Sequence, residues 1–400
     1  MAGAELIGKE EMKEVMDVLE TGVYMRYGFD NERKGIFKVK QLEEEFGKYC
    51  GTTYALGVTS GSAALKVALA AMGVGPGDEI IVPAFTFVAT WEAVLEVGAI
   101  PVMGDIDATL NLDPADVERK ITPLTKAVIP VHMCGSMAHI DKIIAVAKKH
   151  NLLVLEDNAQ GCGGSFKGKK LGTFADMGIF SFDYYKTITT GEGGMVVTDN
   201  KEFAWRADEY HDHGHDHNPA VTRAMEGRHI LGFNYRMNEL QGALGLAQLR
   251  KLDYVCSEQR KNKAKIKGFL SQVKGVGFRE IPDPDGDTAT FLAFNLPTDE
   301  LAAKFQKSLS AGGVDTVCFK ANKWHYAPNW EHLLAWATAN PKQYPFTDPS
   351  YKGKISYERK DIPQAEDLLG RTLVLGIQVK MSDERMAQIQ AAVAKASQEL

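Results

Sequence analysis

GIFSFDYYKTITTGEGGMVVTDN, residues 178–200, is the stretch that decides how this chain is read. An apolar run ends at Phe182, a single lysine follows at Lys186, and a TGEGG turn leads into a second apolar run. A lysine in that place can hold phosphate, pair with a carboxylate, form an imine or simply reach into water. The glycines argue against the last option, because they permit positive φ and close backbone approach where a ligand or another chain crowds a loop.

Moving outward, short apolar runs recur: YALGVTS (54–60), EIIVPAF (79–85), IPVMGDI (100–106), AVIPVHM (127–133), LLVLED (152–157), GIFSFD (178–183) and GMVVTD (194–199). Between them SAALKVALAAMG, FVATWEAVLEVG and IDKIIAVAKKHN carry apolar residues at helical spacing and end on Gly or Asn. The alternation predicts an α/β fold with a mainly parallel sheet covered on both faces. Ligands of such sheets sit beyond the carboxyl ends of the strands. Past residue 237, NELQGALGLAQLRKLDYVCSEQRKNKAKIKGFL (238–270) reads as one long helical pattern. ATFLAFNLP (289–297), helices near 299–311 and 383–400, and a loop-rich NKWHYAPNWEH (322–332) then predict a smaller α+β domain. We expect a large domain over 1–250 and a small one over 251–400.

Composition narrows the function. The chain has 400 residues and a net charge of −6, with no basic face, so nucleic acid is not the expected partner. Its five cysteines, Cys50, Cys134, Cys162, Cys256 and Cys318, are scattered and form no CxxC pair, which fits reduced thiols in a cytoplasmic protein. MAGAELIGKEEMKEVMDVLE reads as an acidic amphipathic helix and not as a signal peptide. No apolar run is long enough to cross a bilayer.

Several motifs sit where ligands are expected. TSGSAALKVAL (59–69) is a strand end, a glycine turn and a helix start, a place that favours an anion; Ser62 could equally be a helix cap. Asp157 leaves a purely apolar strand and needs a partner, with Gln160 three residues on. Familiar phosphate loops fail on spelling: GGSFKGKK (163–170) has Lys170 where a P-loop needs Ser or Thr, and GVGPG (73–77) follows a helix. His211, His213, His215 and His217 alternate, which on a strand would invite a metal, but Gly214 and Pro219 argue against a strand and no metal is expected.

SGSAAL, PAFTFVAT, EDNAQ, SFDYYKTITTGEGG and GFNYRMNELQGALGLAQL together, in that order, resemble the DegT/DnrJ/EryC1/StrS family of sugar aminotransferases. The resemblance implies the fold-type I architecture of pyridoxal phosphate (PLP) transferases, with a mainly parallel seven-stranded sheet in the large domain. It assigns Lys186 as the residue that forms the imine with PLP and then serves as base at the substrate's Cα. Asp157 matches the carboxylate on the pyridine nitrogen, Gln160 the residue beside the phenolic oxygen, and Phe87 the ring stacked on the cofactor. Backbone amides of Ser62 and Ala63, with the Ser181 hydroxyl, match the phosphate cup. Asn234 and Arg236 match a loop that reaches the phosphate of a neighbouring subunit, implying a homodimer with shared sites.

HDHGHDH, FREIPDPDGD and NKWHYAPNWEH further resemble the branch that makes 8-amino-3,8-dideoxy-manno-octulosonate, a lipopolysaccharide sugar. The implied reaction takes the amino group of glutamate to the C8 aldehyde of the oxidised octulosonate. His213 and His215 at the site entrance, and Trp324, His325 and Tyr326 from the small domain, become candidate substrate contacts. The alternative acceptor is a nucleotide-linked keto-hexose.

Overall fold

A computed structural model describes residues 2–400. Each of the seven apolar runs overlaps a strand, the run at 127–133 only by its first two residues: β1 (Tyr54–Val58), β2 (Glu79–Pro83), β3 (Ile100–Gly104), β4 (Thr125–Val128), β5 (Leu153–Asp157), β6 (Met177–Ser181) and β7 (Gly194–Thr198). They form one sheet in the order β1-β7-β6-β5-β4-β2-β3. Only β7 runs against its neighbours. Residues of β2, β6 and β7 are buried on both faces, which is why these strands read as unbroken apolar runs rather than alternating ones.

This strand order places the site. Because β7 is antiparallel to both β1 and β6, those two strands run the same way, and their carboxyl ends share one edge of the sheet with that of β5. Thr59–Ser62 after β1, Asp157 at the end of β5 and Ser181–Lys186 after β6 therefore meet on one rim.

The helix α1 (Gly61–Ala71) packs its apolar side onto the sheet, and its cap is Ser60, whose Oγ accepts the Ala63 N–H at 3.0 Å. The cap reading of Ser62 is thus displaced by two residues. The expected long helix over 238–270 is two: α2 (Glu239–Leu249) and α3 (Leu252–Leu270). The break has a physical cause. Arg250 and Lys251 are drawn to the N-terminal helix Lys9–Thr21, Arg250 to Glu14 at 2.8 Å and Lys251 to Glu11 at 2.8 Å. A Cβ on Gly242 of α2 would lie 2.6 Å from the Val39 nitrogen, so this helix can approach its neighbour only with glycine there.

Toward the C-terminus a three-stranded antiparallel sheet, β8 (Gly277–Phe278), β9 (Phe291–Asn295) and β10 (Thr372–Gly376), packs with α3 and the helices Asp299–Ala311 and Asp383–Gln398 around a second apolar core. Among the described residues no helix is long and apolar enough to cross a membrane.

Candidate active site

A cavity of about 570 Å³ opens at the shared rim. Of the residues singled out above, Ser62, Phe87, Asp157, Gln160, Ser181, Lys186, Trp324 and His325 line it. Gly61, Thr90, Asp183 and Glu192 complete much of the wall.

Asp157 is buried at the floor. Its Oδ2 accepts from Thr90 Oγ1 at 2.9 Å and its Oδ1 from the Ala159 N–H at 3.1 Å. Burial pushes its carboxyl above the ordinary range, opposed by these two hydrogen bonds and by the charge of Lys186. Lys186 Nζ lies 6.0 Å from the centre of the Phe87 ring. Burial drives its amine below the ordinary lysine value, with Asp157 and Asp183 pulling the other way. A lysine in this setting spends more of its time neutral than one in water. Behind the floor, fully buried His132 receives the Ala138 N–H on Nδ1 and so carries its proton on Nε2, 2.9 Å from Glu156.

The outer wall comes from far along the chain. Residues 322–327 pair with PAFTFVAT through main-chain bonds: Thr86 N–H donates to the His325 carbonyl and Val88 N–H to the Trp324 carbonyl, each at 3.0 Å. Phe87 packs against both rings, 6.4 Å from Trp324 and 5.4 Å from His325 between centroids. Burial and the nearby Lys186 push His325 down to about 4, so it is neutral at physiological pH.

Six of the expected contact residues do not line this cavity. Tyr326 is fully buried behind the wall with its hydroxyl on Glu366, because the pairing of this segment with residues 84–88 turns it into the core. Ala63 does not line the cavity, and its N–H is already taken by Ser60 Oγ; no acceptor within the described residues takes those of Gly61 and Ser62. Asn234 and Arg236 lie outside this cavity, with Arg236 bound to Asp212. His213 and His215 are also outside. His213 is exposed beside Phe233, and His215 is buried. His213 and His217 have left-handed backbone, so the four imidazoles share no face. Among the described residues no group of three or more His, Cys, Asp or Glu side chains is arranged to hold a metal.

Fully buried Asp212 is the hub of this histidine segment, held well below the carboxylate range, against its burial, by His217, Arg223 and Arg236. His217 bridges Asp208 at 2.7 Å and Asp212 at 2.9 Å and stacks on Tyr27, with His211, His215 and Arg223 nearby. Burial opposes its charge, but the two carboxylates win and push it up to about 9. The folded state thus binds this proton more tightly than the unfolded one, whose histidine titrates near ~6.5. The stability it contributes is complete below that value and is lost as pH rises through about 9. The melting-temperature gap between the wild type and His217→Gln should be open near pH ~6 and closed by pH ~10.

Sequence reading missed Thr90, Ser60 and His132. Thr90 lies in PAFTFVAT, but its partner Asp157 is 67 positions away, and nothing local marks the bond.

A profile of the family described as "DegT/DnrJ/EryC1/StrS aminotransferase family" matches residues 5–394. The chain belongs to that family. It is a PLP-dependent sugar aminotransferase with the fold-type I architecture. It is 34% identical over 400 residues to the spore coat polysaccharide biosynthesis protein SpsC of Bacillus subtilis, covering 97% of this chain and 94% of that one. With GDP-perosamine synthase of Caulobacter vibrioides it shares 45% identity over 216 residues, 54% of this chain and 57% of that protein. The crystal structure of 3-amino-5-hydroxybenzoic acid synthase superposes with a TM-score of 0.80 at 28% identity, covering 98% and 97% of the two chains.

The residues present fit PLP. Free amides of Gly61 and Ser62 stand at the start of α1, where an anion is favoured. A Cβ on Gly61 would sit 2.6 Å from Ser181 Cβ, so a side chain there would push apart the two turns that form the cradle. Gly61→Ala should weaken PLP binding by about 1–3 kcal/mol, the usual cost of overpacking, measured by titrating cofactor into stripped enzyme.

Proposed function

We propose that this aminotransferase moves the amino group of glutamate to C8 of an oxidised 3-deoxy-manno-octulosonate, giving 8-amino-3,8-dideoxy-manno-octulosonate for lipopolysaccharide. The supporting observation is that NKWHYAPNWEH, which resembles that branch, supplies Trp324 and His325 to the same cavity as Lys186. FREIPDPDGD supports the reading less, since Arg279 and Asp287 are buried on the Met133 carbonyl and on Lys263.

When bound, PLP supplies an electron-withdrawing ring that stabilises negative charge on the substrate's α-carbon. Asp157 would keep the ring nitrogen protonated. The Gly61 and Ser62 amides, with Ser181, would hold the phosphate. Gln160 takes the Cys134 N–H on its Oε1, which leaves its amide hydrogens for the phenolic oxygen. Phe87 would cover one face of the ring. Lys186 would hold the cofactor through its amine and, once displaced by the donor, move the α-proton with Nζ.

The working unit in this reading is a cytoplasmic homodimer in which Asn234 of one copy completes the phosphate site of the other. A second acceptor, a nucleotide-linked keto-hexose, is favoured by the similarity to GDP-perosamine synthase. Assaying amino transfer from glutamate to both acceptors separates them. We expect turnover with the octulosonate aldehyde; turnover with the nucleotide sugar alone would remove the first reading.

A further inference from the structure

The cavity described above is short of positive charge. Its wall carries three carboxylates, Asp157, Asp183 and Glu192, against one amine, Lys186, while His325 is held neutral. Glutamate and a sugar acid both arrive with carboxylates, and the phosphate of PLP adds further negative charge. A cation has to come from outside this wall. Guanidinium is the side chain best matched to a carboxylate, because it can donate two parallel hydrogen bonds.

One arginine is kept ready. Residues 211–216 pair with 227–235 by antiparallel bridges, so the histidine segment and the approach to Asn234 form one ladder. On it Arg223 and Arg236 are both taken up by Asp212. Arg228 is exposed, and among the described residues no carboxylate lies within ion-pair distance of it. Its side-chain partner is His215, whose Nε2 receives an Arg228 N–H at 3.2 Å.

His215 is itself fixed. It is buried, and its Nδ1 lies 2.7 Å from Glu226 Oε2. The Arg228 N–H on Nε2 makes that nitrogen the acceptor and so puts the ring proton on Nδ1, which faces Glu226 at ion-pair distance without a hydrogen bond. Around Arg228 the ladder exposes Met225 (74%), Leu231 (94%) and Phe233 (62%), apolar side chains that a second protein surface would cover. The acidic cavity wall and the exposed Arg228 guanidinium on this apolar-flanked arm are complementary, and both belong to the same chain.

We propose that Arg228, braced by His215, enters the cavity of a second copy and binds a substrate carboxylate there. The proposal rests on the two-copy unit under Proposed function. His215 acts as a positioning residue, which replaces its expected contact with substrate.

Arg228→Ala should raise KM about ten- to hundredfold with kcat largely kept, the loss of one charge-assisted contact. Measuring the glutamate and octulosonate half-reactions separately identifies whose carboxylate is held; unchanged KM in both overturns the proposal. His215→Ala should raise the same KM, and His215→Asn, which keeps an acceptor, should restore it. If the two variants behave alike, the brace is wrong. A heterodimer of Lys186→Ala and Arg228→Ala chains, purified through two tags, contains one site with both groups intact. It should keep about half the wild-type turnover at a low concentration of whichever substrate shows the raised KM. No recovery in a dimer confirmed by sedimentation overturns delivery across copies. A fully active monomer by sedimentation sinks the two-copy reading itself.

Discussion

Replacing Lys186 with alanine should lower transamination on the order of 10³–10⁴-fold while the protein still takes up PLP. The loss is large because one amine does two things. In the proposed mechanism it holds the cofactor covalently, and it is the one amine among the described residues of this cavity wall, with burial lowering its affinity for a proton. Retention of cofactor is expected because Asp157, Gly61, Ser62 and Ser181 are untouched. Single-turnover absorbance with glutamate measures the first effect, and cofactor stoichiometry after desalting measures the second. Borohydride treatment of the wild type should fix the cofactor to the peptide that contains Lys186. Added methylamine should return part of the lost rate, which a misfolded protein would not show. Wild-type turnover in the variant would refute the assignment.

Asp157→Asn should cost roughly 10²–10³-fold in rate and much less in cofactor affinity. The amide keeps the size of the side chain but not its charge, so the ring nitrogen loses the group that holds its proton while the phosphate contacts survive. Thr90 and the Ala159 N–H favour the ionised carboxylate and oppose the burial that raises its affinity for a proton. Thr90→Val removes one of those supports and should have a smaller effect, about tenfold. Comparing PLP titrations with rates of the glutamate half-reaction tests both variants. Equal losses in binding and rate for Asp157→Asn would mean that the residue only anchors the cofactor.

Much of this was legible in the chain because the fold is built from strands buried on both faces. Such strands appear as unbroken apolar runs, and all seven could be located from that signal, although the run at 127–133 shares only residues 127 and 128 with β4. The rim residues followed, since a charged residue at the end of such a run stands out, as Asp157 and Lys186 do. What stayed hidden depends on partners distant in sequence. Thr90 looks like any helix-start threonine until the β5 carboxylate is beside it. Tyr326 and His325 are neighbours in sequence, yet main-chain pairing with residues 84–88 sends one into the core and the other into the cavity. The break after Leu249 is set by carboxylates at residues 11 and 14, which a local helical pattern cannot register.

The seam between residues 84–88 and 322–327 has an evolutionary consequence. It is stitched by peptide groups, which every residue except proline can provide, so it does not depend on which rings stand at positions 324 and 325. Those two positions can therefore be exchanged without opening the seam, while Phe87 keeps its place beside the lysine. If Trp324 and His325 contact the acceptor as proposed, exchanging these outer rings alone changes the sugar taken and leaves the residues around Lys186 as they are.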